Sequence, residues 1–194
     1  MSTKEKILEE ALSLFSQYGY DKTSMEQIAE AVGIKAPSLY KHYKGKEDIL
    51  NALIDQAEAY YEINFGSDKN IGKIPDTLEE FVVSAINRLT FTMHDPLIRK
   101  IRIFLVKEQF RNKRLARVTT SHQIDGLIRM YTVIFEEMMK KGLLKNDDPM
   151  LLAIEAICPC ALYLSKVDRQ PECEKEVLET VESHLRHFCR IYGK

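Results

Sequence analysis

Apolar residues recur three and four positions apart along almost the whole chain, which is the spacing of an α-helix that buries one face. The first such stripe consists of Ile7, Leu8, Ala11, Leu12, Phe15 and Tyr18. No segment shows the convincing alternation of apolar and polar residues that is typical of a half-buried strand. The sequence therefore predicts an all-α protein of about nine helices.

Capping and breaking residues indicate where these helices begin and end. Capping-box spacing at positions 2–5, 23–26 and 76–79 predicts three helix starts, and glycines at 19, 33 and 45 predict breaks between the first four helices. Prolines at 96, 149 and 171 suit the first turn of later helices. Beyond a polar linker at 66–72, the predicted helices cover roughly 78–93, 97–110, 113–141, 149–167 and 171–191.

The composition is that of a globular protein, with 45% apolar and 29% charged residues in 194. Because the formal net charge is only −1, any affinity for nucleic acid must come from a local patch. There is neither an N-terminal apolar run behind basic residues nor an uninterrupted apolar run of membrane-spanning length, so we expect a cytoplasmic protein without a membrane partner. The four cysteines all lie in the last quarter and do not form a disulfide framework.

One such patch occupies positions 35–48, which read K-A-P-S-L-Y-K-H-Y-K-G-K-E-D, with four lysines and its only two acids at the end. Two short helices precede and contain it, joined by a turn at Gly33, and the N-terminal helix can brace them. This is the helix-turn-helix arrangement, in which the second helix enters the major groove of DNA. In this arrangement Ile28, Ala29 and Leu39 are expected to face the core.

The residue identities are more specific evidence than the helix-turn-helix spacing. T-S-M-E-Q-I-A-E-A-V-G-I-K-A-P-S-L-Y-K-H-Y-K-G-K-E-D-I-L closely resembles the N-terminal signature of the TetR family of bacterial transcriptional regulators, and the match extends from Ile7 to about Leu53. The resemblance implies a helix-turn-helix DNA-binding domain at 1–46 and a ligand-binding and dimerisation domain at 47–194. It also implies a homodimer that binds double-stranded operator DNA, in most cases as a repressor released by a small-molecule effector.

Carried over position by position, the resemblance assigns DNA-contacting roles to three groups of residues. Thr23 and Ser24 match the phosphate-contacting start of the second helix, and Lys46 matches a phosphate contact that opens the fourth. In the recognition helix, Lys35, Ala36, Pro37 and Ser38 match base-facing positions, and Tyr40 and His42 match backbone-facing ones. Lys41 joins them because helical spacing points it outward from the same helix. The side chain of Ala36 is only a methyl group, at a position where a long polar side chain could contact a base edge. Sequence recognition is therefore expected to depend on Lys35, Ser38 and Lys41 or on DNA shape. Tyr43 is expected to be core.

The C-terminal part carries only the family's helical layout. The stretch 150–164 has Glu155 as its only charge, and a helix apolar all round must be buried on all sides. With the last helix it is expected to form the four-helix dimer interface of the family, through Leu178, Val181 and Leu185. Pro159 should kink it and free a carbonyl one turn earlier.

Candidate effector contacts are Phe104, Tyr131, Phe135 and Tyr163 for an apolar pocket, with Glu155 as a counter-charge for a cationic ligand. Each of these side chains is more often plain core or part of an interface.

Three alternatives stay open. The cysteines and histidines near the C-terminus (Cys158, Cys160, His184, His187 and Cys189) contain soft metal ligands, but Cys-x-Cys on a helix points its thiols apart, so no metal, cofactor or catalytic residue is predicted. A metal-dependent helical-bundle enzyme would need Glu-x-x-His pairs, and none is present. A regulator that activates, or that responds to a protein partner or to thiol oxidation, is the alternative within the same class. A basic run at 99–117, broken only by Glu108, is expected to be a solvated face; the alternatives are that it binds an acidic ligand or steers the dimer to DNA.

Overall fold

The computed structural model describes residues 2–65 and 71–194, and within these two ranges the chain forms nine helices and no strand. The helices are α1 (Thr3–Tyr18), α2 (Met25–Val32), α3 (Ala36–His42), α4 (Lys46–Phe65), α5 (Leu78–His94), α6 (Pro96–Glu108), α7 (Lys113–Thr120 and Gly126–Lys140, joined by a π-helical turn at Ser121–Asp125), α8 (Pro149–Arg169) and α9 (Glu174–Tyr192). A 3₁₀ turn, Pro171–Cys173, precedes α9. The predicted all-α class is confirmed.

Helix boundaries follow the predicted ones to within about three residues, and the last helix begins at Glu174 instead of 171. The N-cap of α2 is Ser24 with Gln27 as its capping-box partner, and the N-cap of α5 is Thr77, so both starts lie one residue later than predicted. The sequence did not predict the π turn inside α7, where a Cβ on Gly126 would lie 2.8 Å from the carbonyl oxygen of Ser121. Most of the predicted linker, residues 66–70, lies outside the described residues.

The chain forms two compact units. The first comprises Met1–Tyr61 and Pro96–Arg117, and the second comprises Glu62–Asp95 and Val118–Lys194. The first unit therefore contains most of α4 together with α6, which the predicted division at residue 46 assigned to the C-terminal domain. That division concerns function, and it stays a prediction.

The core of the first unit joins α1 to α6 through aromatic packing. The ring of Phe15 stacks on that of Phe104 with centroids 5.8 Å apart, and both side chains are buried. Ile28, Ala29 and Leu39 are also buried, as predicted. The candidate role of Phe104 in an effector pocket with Tyr131 is not supported, because Phe104 packs on α1 in the first unit.

The core of the second unit is built by α5, α7, α8 and α9 around a cluster of rings. Phe135 lies 5.3 Å from Phe81 and 5.4 Å from Phe188 between ring centroids. Val181 and Leu185 of α9 join this cluster, with 1% and 0% of their surfaces exposed. Side chains that their own chain buries are closed to a partner, so we do not retain Val181 and Leu185 as proposed dimer contacts, and Leu178 is partly buried against the same core.

Pro159 lies inside α8 and lacks the N–H that would bond to the carbonyl of Glu155. The predicted free carbonyl is occupied by a neighbouring helix. Nε2 of His184 lies 3.0 Å from the carbonyl oxygen of Glu155 and 3.1 Å from that of Ala156. Because both oxygens can only accept, the ring nitrogen must donate, and the turn of α8 before Pro159 is thereby joined to α9.

We expect His184→Ala to lower the free energy of unfolding by about 1 kcal/mol, since the proline-freed carbonyl loses its protein donor and water replaces it only in part. Urea unfolding at fixed protein concentration measures this. His187→Ala is the matched control, because His187 is exposed on the same helix and its ring lies 3.2 Å from the guanidinium of Arg190, one turn away. Equal losses in both variants would contradict a special role for the Glu155 carbonyl.

Candidate nucleic-acid interface

The turn between α2 and α3 is fixed by glycine. Gly33 has a φ of 78°, in the left-handed region that side chains with a Cβ rarely adopt. Its N–H donates to the carbonyl of Glu30, and the N–H of Ile34 donates to that of Ala29 at 2.9 Å. This pair of bonds is the Schellman motif, which ends α2 and turns the chain sharply into α3.

The second helix of the pair, α3, is held from one side only. Leu39 is its buried residue and packs into the first unit, where α3 contacts α2. On the remaining surface Lys35, Pro37, Tyr40, Lys41 and His42 are exposed, and Ala36 and Ser38 are half-buried. The structure thus brings the predicted recognition-helix residues together on one accessible surface.

The acids that close this stretch are engaged within the protein. The Asp48 carboxylate accepts the backbone N–H of Lys44 at 2.9 Å. The Glu47 carboxylate lies 3.7 Å from the guanidinium of Arg114. The recognition helix itself contains no acid, so Lys35 and Lys41 present a cationic surface.

The start of α2 separates the two residues predicted to contact phosphate there. The hydroxyl oxygen of Ser24 accepts the N–H of Gln27 at 3.2 Å, which leaves its hydrogen available to donate to a phosphate. Thr23 is 1% exposed, and its hydroxyl donates to the carbonyl of Gly19 at 2.9 Å. Since a phosphate oxygen needs a donor, we leave Thr23 out of the proposed DNA contacts.

The ammonium of Lys46 also has partners inside the protein. It donates to the carbonyls of Tyr20 at 2.8 Å and Asp21 at 3.3 Å, and it lies 4.8 Å from the centre of the Tyr20 ring. These contacts join the start of α4 to the loop after α1. An ammonium has a third hydrogen, so a phosphate contact by Lys46 stays a prediction. The predicted core residue Tyr43 is partly buried, and burial raises its pKa.

The candidate effector contacts of the second unit belong to its packed core or to its surface. The rings of Tyr131 and Phe135 lie 6.0 Å apart in the aromatic cluster, and burial raises the pKa of Tyr131. Tyr163 is partly buried against the same core. Glu155 is exposed and accepts a hydrogen bond of 2.6 Å from the hydroxyl of Tyr192, which does not suit a counter-charge inside a pocket.

The thiols and histidines are poorly arranged for metal binding or thiol oxidation. Within the described parts of the chain, no three His, Cys, Asp or Glu side chains come together as a metal-binding group. Burial raises the pKa of Cys160 to about 12 and that of Cys189 to about 11. Both thiols therefore stay protonated near neutral pH, which is the wrong state for an oxidation sensor.

A compact helix-turn-helix with an exposed cationic second helix defines a DNA-binding protein. Residues 7–53 match the model of the bacterial regulatory proteins of the tetR family. The chain is 48% identical over 192 residues to the biofilm operon icaADBC HTH-type negative transcriptional regulator IcaR of Staphylococcus aureus strain Newman, covering 96% of this chain and 99% of the relative. IcaR of Staphylococcus epidermidis is 28% identical over 141 residues, or 56% of this chain and 76% of the relative.

Solved structures share the fold over the full length. The triclosan complex of SmeT, the repressor of the multidrug efflux pump SmeDEF of Stenotrophomonas maltophilia, superposes with a TM-score of 0.80 at 18% identity, covering 100% of this chain and 93% of SmeT. GusR of Salmonella enterica gives a TM-score of 0.71 at 21% identity, with 97% and 95% covered. The chain belongs to the TetR family. It is a DNA-binding transcriptional regulator and not an enzyme.

Proposed function

We propose that the protein is a repressor that binds operator DNA as a homodimer and controls a biofilm operon of the icaADBC kind. The observation that carries this proposal is the α2–turn–α3 unit, whose exposed Lys35, Tyr40, Lys41 and His42 lie on one accessible surface. The full-length similarity to a negative regulator supports repression rather than activation. As a DNA-binding regulator without a membrane partner, it acts in the cytoplasm.

The proposed dimer interface uses the outward face of α8. Leu151, Ile154, Cys158 and Leu162 follow one another at helical spacing, and the three aliphatic side chains are exposed, with 51%, 36% and 70% of their surfaces open. Large apolar side chains exposed in a continuous stripe mark an interaction site. Ile191 near the end of α9 is exposed as well. The proposed interface therefore still involves α8 and α9, but not the buried side chains of Val181 and Leu185.

By length and composition alone, α8 could cross a membrane. The exposed apolar stripe accounts for part of this apolar composition. Its opposite face, which includes Leu152, Ala153, Ala156 and Ile157, is buried in the core of the second unit. A helix with one face in a protein core and the other against a partner subunit is apolar all round. A second copy of this chain is the partner that satisfies this pattern.

The proposed release mechanism depends on differential affinity. Helix α4 belongs to the first unit up to Tyr61 and to the second from Glu62, so one helix is shared by both units. An effector that binds the second unit more tightly in the conformer with wrongly spaced recognition helices shifts the population toward free protein. The functional division into 1–46 for DNA binding and 47–194 for ligand binding and dimerisation remains part of this proposal.

The test is binding to an operator selected from a random duplex library by the wild-type protein. We expect Lys41→Ala and Tyr40→Ala each to weaken binding by at least about tenfold, because each change removes one contact per protomer, worth about 1 kcal/mol or more. Fluorescence anisotropy at fixed salt measures the affinity. Lys175→Ala is the control, since Lys175 is exposed in the second unit and pairs only weakly with Glu179 at 4.0 Å.

Undiminished affinity in both recognition-helix variants would contradict the proposed role of α3. Transcription of a reporter gene placed behind the selected operator then distinguishes repression from activation. Repression requires that the wild-type protein lowers reporter expression and that the α3 variants restore it. Raised expression by the wild-type protein would instead support an activator.

A further inference from the structure

The net positive charge of the first unit comes from one segment. Residues 1–61, which include the helix-turn-helix, contain seven lysines and ten carboxylates, a formal charge of −3. Residues 96–117 contain eight cationic side chains and one carboxylate, a formal charge of +7. The first unit thus carries +4 only because α6 and the start of α7 belong to it.

Inside this segment the side chains divide into a buried set and an exposed set. Glu108, its only acid, is buried, and its Oε1 would lie 3.2 Å from a Cβ on Gly19. Arg102 is buried as well, and Lys100 donates to the hydroxyl of Ser13 at 2.6 Å. The exposed set consists of Arg99, Lys107, Arg111, Lys113 and Arg117. The exposed ionisable side chains of the segment are therefore all cationic.

Hydrogen bonds fix the backbone of the turn between α6 and α7, which carries several of these cations. The backbone N–H groups of Arg111 and Asn112 donate to the carbonyl of Glu108 at 3.0 and 3.1 Å. The Asn112 side chain then caps α7 by accepting the N–H groups of Arg114 and Leu115 at 2.9 and 3.2 Å. Since Leu115 is fully buried, Lys113 and Arg117 stand on the open side of a packed helix.

This turn lies beside the start of α4, which follows the recognition helix in the chain. Arg114 is 3.7 Å from Glu47, the second residue of α4. Lys107 donates to the carbonyl of Ser16 in α1 at 3.4 Å, and α6 packs along α1. The exposed cations are thus carried by the same compact unit as α3, on an element in direct contact with α4 and α1.

We propose that the α6–α7 turn is a second DNA-contacting surface, in which Arg111, Lys113 and Arg117 bind phosphates without regard to base sequence. The proposal rests on the DNA-binding function of the chain. Residues 1–61 as a whole carry a formal charge of −3, and the +7 segment gives the same unit a net positive charge, which favours its approach to the polyanion. The turn supplies affinity, whereas α3 supplies sequence preference.

The experiment compares an Arg111→Ala/Lys113→Ala variant with wild-type protein on two duplexes, the selected operator and a duplex of unrelated sequence. Removing two phosphate-binding side chains from each protomer should flatten the slope of log K against log salt by up to about four. Affinity should fall by the same factor on both duplexes, about tenfold or more at low salt, and the ratio between them should stay unchanged. The thermal midpoint should not move, because both side chains are exposed.

The matched control is Lys140→Ala/Lys175→Ala, which removes the same charge from exposed positions of the second unit. If the control flattens the slope equally, the turn acts only through net charge and the proposal is overturned. An unchanged slope in the turn variant overturns it as well. Wild-type protein that binds neither duplex would instead refute the DNA-binding function itself.

The neighbouring Phe110, which is 91% exposed, allows one competing partner to be tested on the same variants. An exposed ring among cations is also typical of a surface that inserts into an anionic membrane. Sedimentation with phosphatidylglycerol vesicles measures this directly. If wild-type protein binds these vesicles, Phe110→Ala abolishes that binding, and the turn variant keeps its salt slope on DNA, the surface is a membrane site and the proposal fails.

Discussion

Val181→Glu is expected to unfold the second unit rather than to separate two subunits. Val181 is 1% exposed and lies among Val177, Leu185 and Phe188 in the core of its own chain. The variant loses the burial of an aliphatic side chain and must either bury an unpaired carboxylate or break the packing around it, a cost of several kcal/mol. Because whole domains are stable by only about 5–15 kcal/mol, this single change removes much of the stability.

Circular dichroism and urea unfolding measure the loss. We expect a strongly lowered unfolding midpoint or no cooperative transition, and reduced soluble expression. Lys175→Glu introduces the same side chain on the same helix at an exposed position and should leave the midpoint almost unchanged. A folded, cooperative and monomeric Val181→Glu protein would show that this face of α9 belongs to the dimer interface after all.

The different fates of the two apolar faces show what periodicity can and cannot predict. The sequence correctly indicates that Val181 and Leu185 lie on the buried face of α9, because helical spacing reports only that a face avoids water. It does not tell whether the covering atoms come from the same chain or from a partner. Helix α8 is apolar on both sides, and only the structure separates Ala156, inside the core, from Leu162, outside it.

The helix-turn-helix could be predicted in detail because its determinants are local. Gly33 provides the left-handed turn and Leu39 the buried contact, and both act within a few residues of their position in the chain. The predicted N-cap of α2 is less accurate, because two hydroxyl residues follow one another there. Thr23 and Ser24 can both cap a helix, and burial of Thr23 beneath the carbonyl of Gly19 decides between them.

Long-range packing was beyond the sequence pattern. Phe104 lies 89 positions after Phe15 by residue number, yet the two rings stack, and this contact places α6 in the first unit. The charge run at 99–117 was visible in the sequence, but a helical pattern alone does not reveal which other helices a segment contacts. Its meaning changes once α6 is found against α1, because the cations then belong to the unit that contains the helix-turn-helix.

Leu162→Glu is expected to give a folded monomer. Leu162 is 70% exposed in the isolated chain, so a glutamate there is solvated in the monomer and costs little stability. In the proposed dimer the same carboxylate would be buried against the partner, together with its symmetry-related copy, without a compensating cation. Desolvation and repulsion of the two charges together disfavour association by several kcal/mol. Sedimentation equilibrium measures the oligomeric state, and urea unfolding verifies the fold.

The loss of the dimer has a direct consequence for DNA. A dimeric helix-turn-helix regulator binds two half-sites about 34–36 Å apart, and a monomer can hold only one of them. We therefore expect the affinity of Leu162→Glu for the selected operator to fall by about a hundredfold or more, while binding to a duplex of unrelated sequence falls much less. Leu162→Ala, which removes apolar area without adding charge, should show an intermediate loss. A Leu162→Glu protein that remains dimeric would place the interface elsewhere, and a monomer with full operator affinity would mean that the two recognition helices do not act together.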